Sequence, residues 1–416
     1  MDKSYSFKHK SGLEVIFVQK PGFFERYAMF TTKYGAVDSF LKNTDAGGKI
    51  DVPLGIAHFL EHKMFEQESG NVMAEFAHMG ARPNAFTSPT QTSYLFSCTE
   101  NFDKSLGLLL RYVQNPFFTA ENVEKEKGII GQEIDMYLDD PDSAVYMNML
   151  KSLYINNPVK HEIVGSVASI AKITPDILNL LYNTFYTPSN MVLVVVGDEA
   201  VENIEEIVNV SIEDKWADRK STGLVAYEIE EPLYINSKSA RCNMDVAIPI
   251  FMFGYKDNEF SGEPLALIKK QIELKLVQEI LFGPGSEFYN ELYNAGLIND
   301  TFNNYYELER SYAFSAFGGE SKDPEKVISK IQKRIDEAKR GDISEKDFTR
   351  MKNSSYGTFI RRFNSVEGVC RVYTTAHLEG VSVIDYFSLY DRINFNDAVA
   401  RLKLYDDTKA AVSIVE

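Results

Sequence analysis

Residues 55–62 read Gly-Ile-Ala-His-Phe-Leu-Glu-His and come shortly after Pro53. Proline suits the first turn of a helix because its missing N–H is not needed there. On a helix, His58 and His62 project from the same face one turn apart. Two imidazole nitrogens at this spacing can bind one zinc ion at about 2.0–2.1 Å each. The segment therefore predicts a helix that offers two metal ligands.

Glu61 lies next to His62, at the edge of the same helix face. A carboxylate there can accept a proton from a water molecule activated by the metal, without binding the metal itself. The alternative is a core helix that holds its histidines for structural reasons. Two imidazoles and a carboxylate on one apolar helix are costly, however, unless something binds them. The pattern favours a metal-dependent hydrolase.

A third ligand has to come from another segment, because a catalytic zinc takes three protein ligands and keeps one position open. Glu126 and Glu133 lie two helical turns apart in a helical pattern, so both face the same way. One of them could bind the metal while the other orients a ligand. The alternative is a solvated acidic helix face, which is how most charge-rich helices are explained.

The bulk properties describe a globular protein large enough for two domains, with 416 residues of which 44% are hydrophobic. A formal net charge of −16 argues against a nucleic-acid-binding or anionic-membrane-binding surface. The longest apolar runs, Leu106–Leu110 and Met191–Val196, are far too short to span a bilayer. The N-terminal residues do not resemble a targeting peptide and the three cysteines are scattered, so we expect a cytoplasmic protein with reduced thiols.

Strand-like and helical patterns alternate in both halves of the chain. The predicted strands are Leu13–Val18, Tyr27–Val37, Thr92–Ser97, Met191–Val196, Met244–Phe251, Tyr312–Phe317 and Lys409–Val415. Besides the histidine helix, the predicted helices are Phe102–Gln114, Ala120–Leu153 with a break near Pro141, Ile177–Tyr186 and Pro264–Leu281. We expect an α+β fold with a metal-bearing domain at residues 1–215, a linker at 216–230 and a second domain of similar plan at 231–416.

Several stretches resemble the pitrilysin, insulinase and mitochondrial-processing-peptidase family of zinc metallopeptidases, whose metal motif is the inverted H-x-x-E-H. Residues 84–87, Asn-Ala-Phe-Thr, resemble the active-site edge strand of the family, and Glu126 and Glu133 resemble its paired glutamates. Further matches are Thr92–Tyr94, Ile173–Pro175, Tyr186–Met191 and Val196–Asp198. The resemblance covers most of residues 10–200 and the second half more loosely.

The resemblance implies two similar domains, each a mainly antiparallel sheet packed with helices, that enclose a chamber. It assigns these roles: zinc ligands His58, His62 and Glu133; the catalytic base Glu61, supported by Glu126; and Asn84, Ala85 and Phe86 for binding the substrate backbone. An extended peptide would add to the sheet edge as a further strand, so that main-chain hydrogen bonds hold it largely independently of its sequence. The implied activity is that of a zinc metalloendopeptidase.

One departure from the family pattern concerns the second half of the chain. Active members supply an arginine and a tyrosine there to hold the substrate and stabilise the oxyanion, but here Tyr293 and Asn299 stand at those positions. Neither can replace a positively charged guanidinium. The resemblance therefore predicts the zinc-bearing subunit of a heterodimer, whose homologous partner lacks the zinc motif and carries the arginine and tyrosine. Arg310 with Tyr312 is an alternative, displaced pair.

Three other interpretations remain open from the sequence. The same catalyst could act alone or as a homodimer on small peptides. The chain could also be a non-catalytic peptide-binding or assembly subunit, although such relatives usually lose motif residues that this chain keeps. A zinc hydrolase for non-peptide substrates would fit the metal ligands and leave the Asn84 strand unexplained.

Overall fold

The computed structural model describes residues 2–44, 48–219, 222–227 and 229–416. The described strands are β1 (Lys3–Lys8), β2 (Glu14–Gln19), β3 (Arg26–Thr32), β4 (Phe40–Asn43), β5 (Lys49–Asp51), β6 (Glu66–Gln67), β7 (Gly70–Asn71), β8 (Arg82–Thr87), β9 (Thr92–Cys98), β10 (Met191–Gly197), β11 (Leu224–Ala226), β12 (Ser239–Cys242), β13 (Ile250–Asp257), β14 (Asn303–Glu309), β15 (Tyr312–Glu320) and β16 (Ala410–Val415).

The described α-helices are α1 (Ile56–Met64), α2 (Val72–His78), α3 (Phe102–Gln114), α4 (Ala120–Leu138), α5 (Pro141–Leu153), α6 (Val167–Ile170), α7 (Pro175–Phe185), α8 (Val201–Ser211), α9 (Asp214–Ala217), α10 (Pro264–Phe282), α11 (Glu287–Asn294), α12 (Pro324–Lys339), α13 (Glu345–Arg361), α14 (Val366–Leu378), α15 (Val383–Arg392) and α16 (Phe395–Ala400). None of the helices in the described parts of the chain combines the length and apolarity needed to cross a membrane.

The chain forms two compact units, and the predicted α+β class is confirmed. The first unit comprises Met1–Ile134, Glu162–Glu228 and Arg361–Val383, and the second comprises Asp135–His161, Ile229–Ile360 and Ile384–Glu416. Each unit thus includes one helix from the other half of the chain, α5 in the second unit and α14 in the first. The contiguous boundaries placed at residues 215 and 231 need correction on this point, because chain order alone does not show which sheet an amphipathic helix covers.

The first unit is built on a six-stranded sheet in the order β1-β2-β10-β3-β9-β8. Strands β2 and β10 are parallel and the other neighbours are antiparallel. Every residue of β10 is buried, as expected for a central strand whose sequence is a continuous apolar run. Strand β8 forms one edge, and α1 packs beside it.

The second unit is built on a five-stranded sheet in the order β12-β16-β13-β15-β14, again with one parallel pair, β12 and β16. Apart from β1, each sheet has five strands, which can be numbered one to five in chain order. In both sheets these five strands then lie side by side in the order one, five, two, four, three. The predicted similarity of plan is therefore confirmed at the level of strand connectivity. Helix α5 covers this second sheet, with Val145 packed against Ile250 and Val415.

Three local predictions were wrong. The strand expected at Tyr27–Val37 ends at Thr32, the last residue of β3. The strand expected at 244–251 lies at β13, six residues further along, because Pro249 lacks the N–H that a central strand needs for its ladder. The segment expected to be a linker at 216–230 is partly integrated into the first unit: Trp216 is fully buried and its Nε1–H donates to the Tyr186 carbonyl at 2.9 Å. Its strand β11 pairs with β4, while residues 220, 221 and 228 lie outside the described residues.

Candidate metal centre

Helix α1 begins at a glycine that no other residue could replace without strain. Gly55 caps the helix with φ +86°, a left-handed conformation that L side chains rarely adopt. A Cβ on Gly55 would lie 2.4 Å from the Val164 carbonyl oxygen, and one on Gly165 would lie 2.5 Å from the Leu54 oxygen. The two backbone segments therefore touch directly, which fixes where the histidine helix starts. It starts at Ile56, one turn after Pro53.

The structure brings His58, His62 and Glu133 together. The Nε2 atom of His58 lies 3.6 Å from Glu133 Oε1, and the Nε2 atom of His62 lies 3.8 Å from Glu133 Oε2. One ligand atom from each of the three residues lies within 4.8 Å of the others. Glu133 comes from α4 and the histidines from α1, so that two helices distant in sequence converge on one point.

These separations fit a shared metal ion better than direct hydrogen bonds. Hydrogen bonds between nitrogen and oxygen measure about 2.7–3.2 Å, which is shorter than either contact from an imidazole to Glu133. Two ligand atoms at about 2.0–2.2 Å from a tetrahedral zinc ion lie roughly 3.3–3.5 Å from each other. Two imidazoles and one carboxylate are also the ligand types of catalytic zinc sites that retain an open position. The three residues therefore fit zinc.

Glu126 is placed to orient the ring of His62. Its Oε1 atom lies 3.0 Å from His62 Nδ1, and since an ionised carboxylate can only accept, Nδ1 carries the proton. This leaves Nε2 of His62 as the nitrogen that faces Glu133. Histidines that bind metals characteristically donate their other N–H to a carboxylate in this way. The sequence left open which of the two glutamates ligates, and the geometry places Glu133 with the two rings.

The surroundings shift the pKa values of the two imidazoles in opposite directions. Burial, and next to it the charge of His62, lowers the pKa of His58 to about 3, so this ring is neutral and its lone pair is available at neutral pH. Burial would also lower the pKa of His62, but the hydrogen bond to Glu126 and the nearby carboxylates raise it overall. Without a metal, His62 therefore binds a second proton more readily than an exposed histidine does, and metal binding would compete with that proton.

Glu61 is 7% exposed and is held by Thr87, a residue to which the sequence pattern assigns no individual role. The hydroxyl of Thr87 donates to Glu61 Oε2 at 2.8 Å. Burial raises the pKa of Glu61, whereas the Thr87 hydrogen bond and His62 act in the opposite direction. Side chains alternate between the two faces of a strand, so the position of Thr87 on β8 gave a signal: it faces α1 together with Ala85.

The three residues predicted to bind the substrate backbone lie on β8, which pairs with β9 alone within the described residues. Asn84 accepts the N–H of Ala85 at 2.9 Å through its own side chain. The ring of Phe86 packs into the cluster of Val366 and Val369 of α14, away from the face that Thr87 shares with Glu61.

Tyr293 and Asn299, which stand in place of the arginine and tyrosine of the family pattern, are engaged locally in the second unit. Tyr293 stacks on Tyr289, with ring centroids 5.9 Å apart. Asn299 donates to Glu320 at 2.6 Å and accepts from the N–H and hydroxyl of Thr301. Both side chains serve local structure, and neither carries a positive charge.

The alternative pair, Arg310 with Tyr312, is not supported. Tyr312 is fully buried and its hydroxyl donates to Glu307. A side chain in this position has no exposed hydroxyl to offer to a substrate.

Comparison with known proteins places this geometry in a family. A family model described as insulinase (peptidase family M16) matches residues 50–167, and one described as peptidase M16 inactive domain matches residues 172–355. The chain is 37% identical to the uncharacterized zinc protease YmfH of Bacillus subtilis over 395 residues, which cover 94% of this chain and 91% of that protein. The chain belongs to the M16 peptidase family. The zinc protease PqqE of Helicobacter pylori is 24% identical over 77% of this chain.

Solved structures agree with this membership. An M16-like peptidase from Alicyclobacillus acidocaldarius superposes with a TM-score of 0.93 at 32% identity and covers 100% of this chain and 98% of its own. A protease from Helicobacter pylori shares the fold, with a TM-score of 0.85 at 19% identity. The second M16 match is described as inactive, and helix α10, which packs on β14 as α1 packs on β8, contains no histidine.

Proposed function

We propose that this chain is a zinc metalloendopeptidase in which His58, His62 and Glu133 bind the metal. The observation that carries the proposal is the convergence of the three ligand atoms from α1 and α4, with Glu126 placed to orient His62. Zinc, when bound, polarises the scissile carbonyl and acidifies water. The names of the M16 relatives as zinc proteases support the same chemistry.

The role proposed for Glu61 is general base and then general acid. Its carboxylate lies on α1 between the two ligand histidines and is fixed by Thr87, so that it can accept a proton from water and deliver it to the leaving amine. Burial raises its pKa, which makes it a better proton acceptor than an exposed glutamate. Strand β8 would bind the peptide as an added strand along Asn84, Ala85 and Phe86, where alternate residues present their main-chain N–H and C=O groups at the edge away from β9.

We further propose that the catalyst is one half of a heterodimer. Removing one oxyanion donor typically lowers the rate by about 10²–10³. Tyr293 and Asn299 provide no positive charge, and the polar atoms of Asn299 are already used in hydrogen bonds to Glu320 and Thr301. A homologous partner without the zinc motif, carrying the arginine and tyrosine, would supply the missing groups.

The proposal is tested by measuring zinc content and peptide cleavage on the same preparations. We expect about one zinc per chain, loss of zinc in His58→Ala, and retained zinc without cleavage in Glu61→Gln. Adding a purified M16 chain that lacks the zinc motif and keeps the arginine and tyrosine should raise cleavage of an unstructured peptide at least about 100-fold. Equal cleavage with and without that chain would refute the heterodimer.

The main competing function is a non-catalytic peptide-binding subunit. It predicts binding of an extended peptide without cleavage, whatever partner or metal is added. Cleavage that disappears in Glu61→Gln while zinc remains bound would exclude it.

A further inference from the structure

Lys63 is a charged residue with no exposed side-chain surface, next to His62 in the metal-binding helix. Its Nζ atom contacts Glu66 and lies 3.6 Å from Glu126 Oε2. A buried ammonium is costly unless carboxylates surround it, so its position is strongly constrained by these two partners. No motif in the sequence includes Lys63.

Glu126 lies between Lys63 and His62 and uses one oxygen for each. Its Oε2 atom faces Lys63, and its Oε1 atom accepts the Nδ1–H of His62 at 3.0 Å. The opposite nitrogen of that ring, Nε2, faces Glu133 at 3.8 Å. The ammonium, the carboxylate and the imidazole therefore form a continuous row of contacts that ends at the metal-binding atoms.

We propose that Lys63 is a positioning residue of the metal centre, acting through Glu126. By holding Oε2, Lys63 fixes the rotation of the carboxylate, so that Oε1 aims at His62 and keeps the ring with Nε2 toward Glu133. Removing it frees Glu126 to turn, although Glu126 and His62 are both still present. The inference rests on the proposed zinc site.

The opposite expectation follows if Lys63 acts only through its charge. Four carboxylates, Glu61, Glu66, Glu126 and Glu133, surround this helix face, and Lys63 offsets part of their charge. Loss of one positive charge would make the site more attractive to a divalent cation. A charge-only role therefore predicts tighter zinc binding without Lys63, and a positioning role predicts weaker binding.

The experiment is a double-mutant cycle on zinc affinity, measured on zinc-free protein by competition with a chelator. The variants are Lys63→Met, which keeps length and apolar volume, Glu126→Gln, and both together. Loss of a group that orients a ligand typically weakens metal binding by about 10–100-fold. We expect Lys63→Met to weaken zinc binding about 10-fold, Glu126→Gln at least as much, and the double variant no more than Glu126→Gln alone, because both act through one contact.

Controls separate this role from general stability. Lys270 is also buried and pairs with Asp257 at 2.7 Å in the second unit, so Lys270→Met should lower the melting temperature without changing zinc affinity. Lys63→Arg keeps the charge and should bind zinc more tightly than Lys63→Met. If Lys63→Met does not fold, Lys63→Gln takes its place with the same expectation.

Unchanged or tighter zinc binding by the Lys63 variant, or an additive loss in the double variant, would overturn the inference. If the unaltered protein itself binds no zinc, the proposed function fails instead, so the two failures are distinguishable.

Discussion

The hydroxyl of Thr87 offers a direct test of the role of Glu61, through the variant Thr87→Val. Valine matches threonine in shape and removes the 2.8 Å hydrogen bond to Glu61 Oε2, together with a longer contact of 3.5 Å from the Thr92 hydroxyl. A hydrogen bond to an ionised group is worth about 1.5–3 kcal/mol, and Glu61 is buried enough for water not to replace it. Because about 1.4 kcal/mol corresponds to a factor of ten, loss of this bond should lower the ionised fraction of Glu61 at least about 10-fold at pH values below its pKa.

The direction in which the pH profile should move follows from the pKa of Glu61. Burial raises this pKa and the Thr87 hydrogen bond opposes the rise, so its removal raises the pKa further. A base that must be ionised loses activity as the pH falls through its pKa. In Thr87→Val the acidic limb of kcat/KM for peptide cleavage should therefore move to higher pH, with the plateau at higher pH retained.

The assay is a pH profile of peptide cleavage from about pH 5 to 9, with zinc saturating and any required partner present. Thr184→Val is the matched control, because its hydroxyl donates at 2.7 Å to the Leu180 carbonyl of its own helix, away from Glu61. A profile of Thr87→Val that falls equally at every pH, with the acidic limb in place, would show that Glu61 is not the base that Thr87 tunes.

Three further outcomes are expected. Gly55→Ala should lower the free energy of unfolding by about 1–3 kcal/mol because of the left-handed backbone, should lower it further because its Cβ overlaps Val164, and should weaken zinc binding. Gly22→Ala, at φ +81° with open space around it, should lose only the backbone contribution, and urea unfolding measures both variants. Glu133→Gln should reduce bound zinc after dialysis from about one per chain to almost none, by elemental analysis, and persistent zinc would exclude Glu133 as a ligand. Zinc at 100 times its Kd should stabilise the protein by about 2.7 kcal/mol in thermal unfolding, and a chelator should remove this effect.

Local sequence signals were sufficient for many elements. Helix α3 was predicted at Phe102–Gln114 and has those bounds, since its apolar residues recur with helical periodicity. The break near Pro141 separates α4 from α5, where Asp140 accepts the N–H of Ser143 as a cap. Such signals depend on neighbours in the chain and therefore need no knowledge of tertiary contacts.

Contacts between segments distant in the chain could not be predicted from the sequence. The Thr87 bond to Glu61 joins a strand to a helix, and the contact of Lys63 with Glu126 joins two helices. Strand alternation indicates the face of β8 on which Thr87 lies, but nothing in the residue types shows which side chain it meets, and a lysine on a helix is ordinary. The same limit explains why the exchange of α5 and α14 between the units was missed.

The repeated strand order bears on which partner could complete the active site. Helix α10 packs on β14 in the second unit as α1 packs on β8 in the first, but it contains no histidine, and its Gln278 donates to the Tyr305 carbonyl of β14. One chain therefore offers one metal site within the described residues. A second copy of the same chain would bring the same Tyr293 and Asn299, so that a homodimer repeats the deficiency at these positions. Under the proposed function, a chain of different sequence would supply the guanidinium, which is why the heterodimer is the form of the hypothesis to test first.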